Sequence, residues 1–143
     1  GRFPRRYHGR VIAIEPAQKM LAVAQSQLAS FPATERAQLL LVQQYAEQLP
    51  LPTAVADAVT CLEALEFFAN PDQAIRELVR VLRPGGVLFL TRRHGLEAHL
   101  FLHRYRSQAK LHHDLTTLGM TDINEISWEI DYNLLIARKA HTR

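Results

Sequence analysis

Three stretches of this chain carry residue types at spacings that could do chemistry. The first is Glu15, which ends the apolar run Val11-Ile12-Ala13-Ile14 and precedes Pro16. A carboxylate at the carboxyl tip of a strand can accept two hydrogen bonds from a ribose diol. It can equally serve the first turn of a following helix, where the dipole favours negative charge. The second is the pair Glu63 and Glu66 in "CLEALEFF", which either face a ligand or form the exposed side of a helical turn. The third is 91–113, "TRRHGLEAHLFLHRYRSQAKLHH", which holds five of the seven histidines. His99 and His103 are spaced i, i+4, so on a helix they would share a face and could ligate a metal. No acid or cysteine stands at a completing position, so the expectation is a solvated basic face and no metal site. A fourth stretch, "QYAEQLPLP", could offer backbone groups to a flat base or remain a solvated loop.

These residues need elements to hold them. "RVIAI" (10–14) is a short apolar run with β-branched residues and reads as a buried strand. "AQKMLAVAQSQL" (17–28) follows as a helix with Met20, Leu21, Ala24 and Leu28 on one face and Pro16 leading into it. "QLLLVQ" (38–43) and "AVADAVTCL" (54–62) are further strands. In "NPDQAIRELVRVLRPGG", Asn70 is an N-cap, Pro71 suits the first helical position and Gln73 stands where a capping-box partner belongs. Ile75, Leu78, Val79 and Leu82 recur at helical spacing, and Pro84-Gly85-Gly86 stops the helix. "VLFLT" (87–91) is a strand, and 92–113 reads as largely helical. "HDLTTLGM" closes a helix at Gly119. "DINEISWEID" and "YNLLIARK" adjoin so tightly that they must pair antiparallel. Alternating strands and helices with a terminal hairpin imply an α/β fold: a Rossmann-like, mostly parallel sheet with helices on both faces and a C-terminal antiparallel pair.

Bulk properties bound the answer. The chain has 143 residues, 48% hydrophobic and 22% charged, which suits one soluble globular domain. Its apolar runs are strand-sized, so no transmembrane segment is expected. "GRFPRRYHGR" is basic without an apolar stretch and is not a signal peptide. The net charge of +3 is too small to argue for nucleic-acid binding. One cysteine, Cys61, excludes an internal disulfide and fits a reducing, cytoplasmic setting.

The segment "AEQLPLP…ADAVTCLEALEFFANPDQAIRELVRVLRPGGVLFLT" resembles the centre of class I S-adenosylmethionine-dependent methyltransferases, in the subgroup with the ubiquinone/menaquinone-type enzymes. "VIAIEPAQKML" resembles that family's second strand with its ribose-binding acid, and "LGMTDI…YNLLIARK" its last helix and strand pair. The resemblance covers nearly the whole chain. It implies transfer of a methyl group from S-adenosylmethionine to a small-molecule acceptor. By position, Glu15 would hold the ribose hydroxyls, with Pro16 and Met20 on the adenine side. Ala46 would bond the adenine edge through its backbone, with Glu47 beside it, and Leu62 would pack near the methionine portion. Gly1 would match the last glycine of the family's G-x-G-x-G loop. The resemblance therefore implies a single methyltransferase-like domain over 1–143 that lacks the first strand and most of that loop, and that binds donor poorly on its own.

Two positions depart from the family pattern. Tyr45 stands where an acid usually bonds the adenine amino group. Phe67 replaces a histidine, which leans toward an apolar, quinone- or lipid-like acceptor. Arg92, Arg93 and His94 would hold an anionic group on that acceptor. Glu66 is the candidate base for acceptors that need one. Two other readings stand beside this one: a non-catalytic methyltransferase-like binding domain, and an NAD(P)-binding oxidoreductase fragment, which "AEQLPLP" and "LRPGG" count against.

Overall fold

The computed structural model describes residues 9–95, 98, 100 and 106–141. The chain divides into two compact units, Gly1–Tyr45 and Ala46–Arg143.

The first unit is a βαβ arrangement. Strand β1 (Val11–Ile14) leads to helix α1 (Gln18–Leu28), a short helix α2 (Ala33–Arg36) and strand β2 (Leu39–Val42). The two strands pair in parallel with Val11 opposite Leu39 and Ile14 opposite Val42. Each spans its whole apolar run, but neither is buried on both faces: the cross-strand pair Ile12 and Leu40 is 40% and 56% exposed. Helix α1 buries Leu21, with Ala24 and Leu28 half-buried on the same stripe. Met20 lies off that stripe and is 58% exposed, which corrects its place on the inward face.

The second unit holds strand β3 (Ala56–Cys61), helix α3 (Pro71–Val81), strand β4 (Leu82–Arg93), helix α4 (Gln108–Thr117) and strands β5 (Met120–Glu129) and β6 (Tyr132–Lys139). The sheet order is β3-β4-β6-β5, with β3 and β4 parallel and the other two pairings antiparallel. The predicted α/β character and the antiparallel terminal pair are both present. Leu88, Leu90, Leu111, Leu115 and Leu135 are fully buried between this sheet and its helices. Each such leucine contributes about 2 kcal/mol through burial.

Helix α3 forms as its sequence predicts at one end and not at the other. Asn70 Oδ1 accepts the Gln73 N–H at 3.1 Å. The reciprocal bond of the capping box comes from elsewhere, because the Asn70 N–H donates to Glu47 Oε1 at 3.1 Å. Gln73 instead donates its side-chain amide to the Glu47 carbonyl. At the C-terminus the helix ends at Val81, ahead of Pro84. Lys139 Nζ donates to the carbonyls of Val79 at 2.8 Å and Leu82 at 2.6 Å, taking over groups that a helix end leaves open. Strand β4 then begins at Leu82 opposite Ala56, bulges through Pro84 and Gly85, and resumes at Val87 opposite Ala58. Gly86 sits where a Cβ would meet the Arg83 carbonyl at 2.8 Å and Leu82 Cδ2 at 2.9 Å, so only glycine fits.

The basic stretch 92–113 is not one long helix. Arg92 and Arg93 belong to β4, and α4 starts at Gln108 with Ser107 Oγ capping the Lys110 N–H. His99 and His103 lie outside the described residues. Gly119 follows α4 at φ +87°, as a helix-terminating glycine should. No helix among the described residues is long and apolar enough to cross a membrane.

Candidate functional site

In the first unit the parallel strands put their carboxyl ends on one side. Glu15 follows β1 there and extends the ladder through its N–H to the Val42 carbonyl at 3.1 Å. Its Oε1 accepts the Ala17 N–H at 2.8 Å. Helix α1 has no capping side chain at Ala17 itself, so Glu15 acts as its cap. Both readings of this acid therefore have a physical basis: Oε1 serves the helix, and Oε2 bonds no group among the described residues. Pro16 is exposed and accepts the Gln43 side-chain amide on its carbonyl at 3.3 Å. Tyr45 is 63% exposed, its N–H held by Gln44 Oε1. The surface depression at Ser30, Phe31, Pro32 and Glu35 lies at the opposite end of α1 from Glu15 and gathers no comparable chemistry.

In the second unit a one-turn 3-10 helix at Ala46–Gln48 precedes the proline loop. Ala46 is half-buried there, and Glu47 has its side chain drawn to the α3 N-terminus. Beyond β3, Leu62 is 46% exposed and Phe67 60% exposed. Glu63 adopts φ +53°, an uncommon conformation for a residue with a Cβ. Its N–H donates to the hydroxyl of Thr91, a fully buried residue of β4.

Glu66 stands in the one-turn 3-10 helix Leu65–Phe67 and is only 3% exposed. Its Oε1 accepts the Arg93 N–H at 2.9 Å, tying the turn after β3 to the end of β4. Oε2 is buried with no bond among the described residues. The candidate base is thus an internal carboxylate, not an exposed one. Its charge is felt nearby. Burial, and after it the Glu66 carboxylate, push the Cys61 thiol up to about 12. Burial first and Glu66 second raise the Tyr132 phenol, while Arg93 opposes them. The Arg93 guanidinium lies 5.6 Å from the Tyr132 ring centroid and 3.4 Å from its hydroxyl.

Arg92 corrects the idea of a basic face open to an anionic acceptor. It is 7% exposed and bonds Glu125 of β5 through Nε at 2.8 Å and through a terminal nitrogen at 2.6 Å. Asn133 at 3.0 Å and His112 at 3.2 Å complete the shell around the Glu125 carboxylate. His94 is half-buried, its N–H donating to the Asp131 carbonyl. Of the three proposed acceptor residues, Arg93 is the one with a hydrogen bond to Glu66 among the described residues, through its backbone N–H. Gly1 lies outside the described residues. No group of three or more metal-ligating side chains gathers among the described residues.

Sequence reasoning missed Thr91, Tyr132 and the Glu125 cluster. Thr91 and Tyr132 gave no signal, because only pairing across the sheet brings them to the strand ends. Glu125 could have been flagged as an acid set among the apolar positions of a strand.

In the first unit an acid stands at the carboxyl tip of a parallel strand, and in the second a polar turn follows the carboxyl end of β3; open α/β sheets bind ligands at such strand ends. Residues 1–90 match the family described as "Methyltransferase domain". The chain belongs to that family. It is 37% identical over 81 residues to a ubiquinone biosynthesis O-methyltransferase of Dechloromonas aromatica, a match covering 57% of this chain and 34% of the relative. It is also 37% identical over 82 residues to a ubiquinone/menaquinone biosynthesis C-methyltransferase of Hahella chejuensis, covering 57% and 32%. The match thus spans about a third of the length of these curated relatives. Among solved structures the [4+2]-cyclase SpnF superposes with TM-score 0.75 at 22% identity, over 96% of this chain and 68% of its own. That likeness establishes the Rossmann-like fold.

The residues present fit the donor this family implies. In the first unit Glu15 Oε2 bonds no group among the described residues and is placed to accept from a diol; in the second, Ala46 begins a backbone turn of the kind that can bond a flat base.

Proposed function

We propose that this chain is an S-adenosylmethionine-dependent methyltransferase domain acting on a small apolar, quinone-like acceptor. The observation that carries this reading is Glu15: an acid at the carboxyl tip of a parallel strand, fixed at Oε1 by the Ala17 N–H and with Oε2 bonding no group among the described residues. Membership of the methyltransferase family and the names of the two relatives support the donor and the acceptor class. Residues 1–143 would belong to one such domain, working in the reducing cytoplasm. The fold alone would not carry the argument, since one superposing structure is a cyclase.

When bound, S-adenosylmethionine supplies a methyl group on a sulfonium. Such a transfer depends chiefly on lining up donor and acceptor. Glu15 would hold the ribose end, Pro16 and the exposed Met20 the adenine side, and Ala46 the base edge, with Tyr45 and Glu47 flanking it. Leu62 would cover the methionine portion. The exposed Phe67 would meet an apolar acceptor, with Arg93 and His94 near it. Glu66 would order the turn below them.

The reading is tested by calorimetric titration with S-adenosylhomocysteine and, separately, NAD. Weak but measurable binding of S-adenosylhomocysteine is expected, in keeping with a chain that binds donor poorly on its own, with Glu15→Ala weakening it further by about 10-fold or more, as loss of a charged hydrogen-bond acceptor should. Binding of NAD in preference, or no effect of Glu15→Ala, overturns it.

A further inference from the structure

Helix α3 does more than cross over between two strands. Its Glu77 and Arg80, spaced i, i+3, reach the loop that follows the 3-10 turn at Ala46–Gln48. Arg80 donates through Nε to Glu77 Oε1 at 2.6 Å and through one terminal nitrogen to Glu77 Oε2 at 2.8 Å. That same nitrogen bonds the Leu49 carbonyl at 3.2 Å. The other terminal nitrogen bonds the Leu51 carbonyl at 2.9 Å and the Thr53 hydroxyl at 3.3 Å. These are five bonds, and a guanidinium has five N–H donors. Glu77 Oε2 also accepts the Leu49 N–H at 2.8 Å. One part-buried ion pair therefore holds both backbone groups of Leu49 and a carbonyl two residues on. Glu47, bonded to Asn70 and Gln73 at the start of the same helix, pins the other side of the turn.

A loop containing Pro50 and Pro52 has few N–H donors of its own, so its shape depends on such outside partners. We propose that Glu77 and Arg80 are positioning residues for the donor's base: they fix the Ala46–Leu51 backbone that faces it. This rests on the donor reading above. Neither residue touches the donor; both act through the loop. An ångström-scale shift of that backbone would be felt as a large loss of affinity. Lysine cannot substitute at position 80, because one ammonium with three donors cannot reach two carbonyls, a hydroxyl and both Glu77 oxygens together.

The test compares Arg80→Lys and Glu77→Gln with Leu115→Val, a core variant in α4 that touches none of these groups. Two quantities are measured well below the melting temperature: S-adenosylhomocysteine affinity by calorimetry, and hydrogen exchange at the Leu49 amide. The expected result is faster Leu49 exchange and a Kd raised about tenfold or more in both loop variants, but less than about twofold in Leu115→Val, even where all three lose similar melting temperature. Unchanged Leu49 exchange overturns the staple itself. Faster exchange with unchanged Kd overturns the positioning role. If the unaltered protein binds no S-adenosylhomocysteine, the donor reading fails and takes the positioning role with it, while the exchange data still report whether the ion pair holds the loop.

Discussion

Removing the Glu125 carboxylate should expose how much the second unit depends on one buried charge cluster. The Glu125 side chain is 2% exposed and that of Arg92 9%. Glu125→Ala would leave the Arg92 guanidinium buried without its counter-charge, and Asn133 and His112 without their acceptor. Breaking a buried pair from one side costs about 3–5 kcal/mol. With a urea dependence of about 2 kcal/mol per molar, that lowers the unfolding midpoint by roughly 2 M. Trp128, the chain's one tryptophan, lies in the same strand and reports the transition by fluorescence. Replacing both partners, Arg92→Met with Glu125→Leu, should recover at least half of the loss, because only the smaller polar groups then lack a partner. The cluster also sets an acid limit. Burial pushes the Glu125 carboxyl up, but the bonds from Arg92 and Asn133, the Arg92 charge and the bond from His112 together outweigh it and hold the group below the usual range. The folded state therefore binds this proton at lower pH than the unfolded chain does. The contribution is complete above the unfolded value of about 4.3 and is lost as pH falls through the folded one. Glu125→Ala should accordingly flatten the loss of stability on acidification below about pH 4. A cost under about 1 kcal/mol for Glu125→Ala, or a double variant no better than the single, would refute this reasoning.

Further outcomes follow from the same geometry. Cys61, buried with its thiol pushed up to about 12, should react with thiol reagents only as fast as the second unit opens, and Glu66→Gln should lower that value. Gly86→Ala forces a Cβ against the Arg83 carbonyl and Leu82 and should cost about 1–3 kcal/mol in chemical unfolding. Asn70→Ala removes the α3 cap and should cost about 1 kcal/mol by the same assay. Acidification should loosen the Leu49 amide, since the Arg80 hydrogen bond holds the Glu77 carboxyl below its usual range and the clamp fails as pH falls through that lowered value; hydrogen exchange between about pH 5 and 3 checks it.

What the sequence determined by itself was largely local. The apolar run ending in Glu15, the Asn70-Pro71 helix start and the Gly119 stop are each set by residues within a few positions. The very tight connection between "DINEISWEID" and "YNLLIARK" was enough to require an antiparallel terminal pair. The motif order from Glu15 to Gly86 was enough to point to the family. Tertiary structure decided whatever depended on partners far along the chain. Lys139 closes α3 across 57 and 60 residues, where the sequence pointed to Pro84-Gly85-Gly86. Glu47 completes the capping box that Gln73 was positioned to complete, from 23 residues upstream. Arg92 looked like a surface cation because its neighbours in sequence are basic, yet its partner Glu125 is 33 residues away. Glu66 read as either facing a ligand or lying on the exposed side of a helical turn and is instead buried, with its carboxylate accepting the Arg93 N–H. Local patterning fixes which element a residue belongs to. Burial and charge pairing are set by what the folded chain lays against it, and spacing carries no record of that.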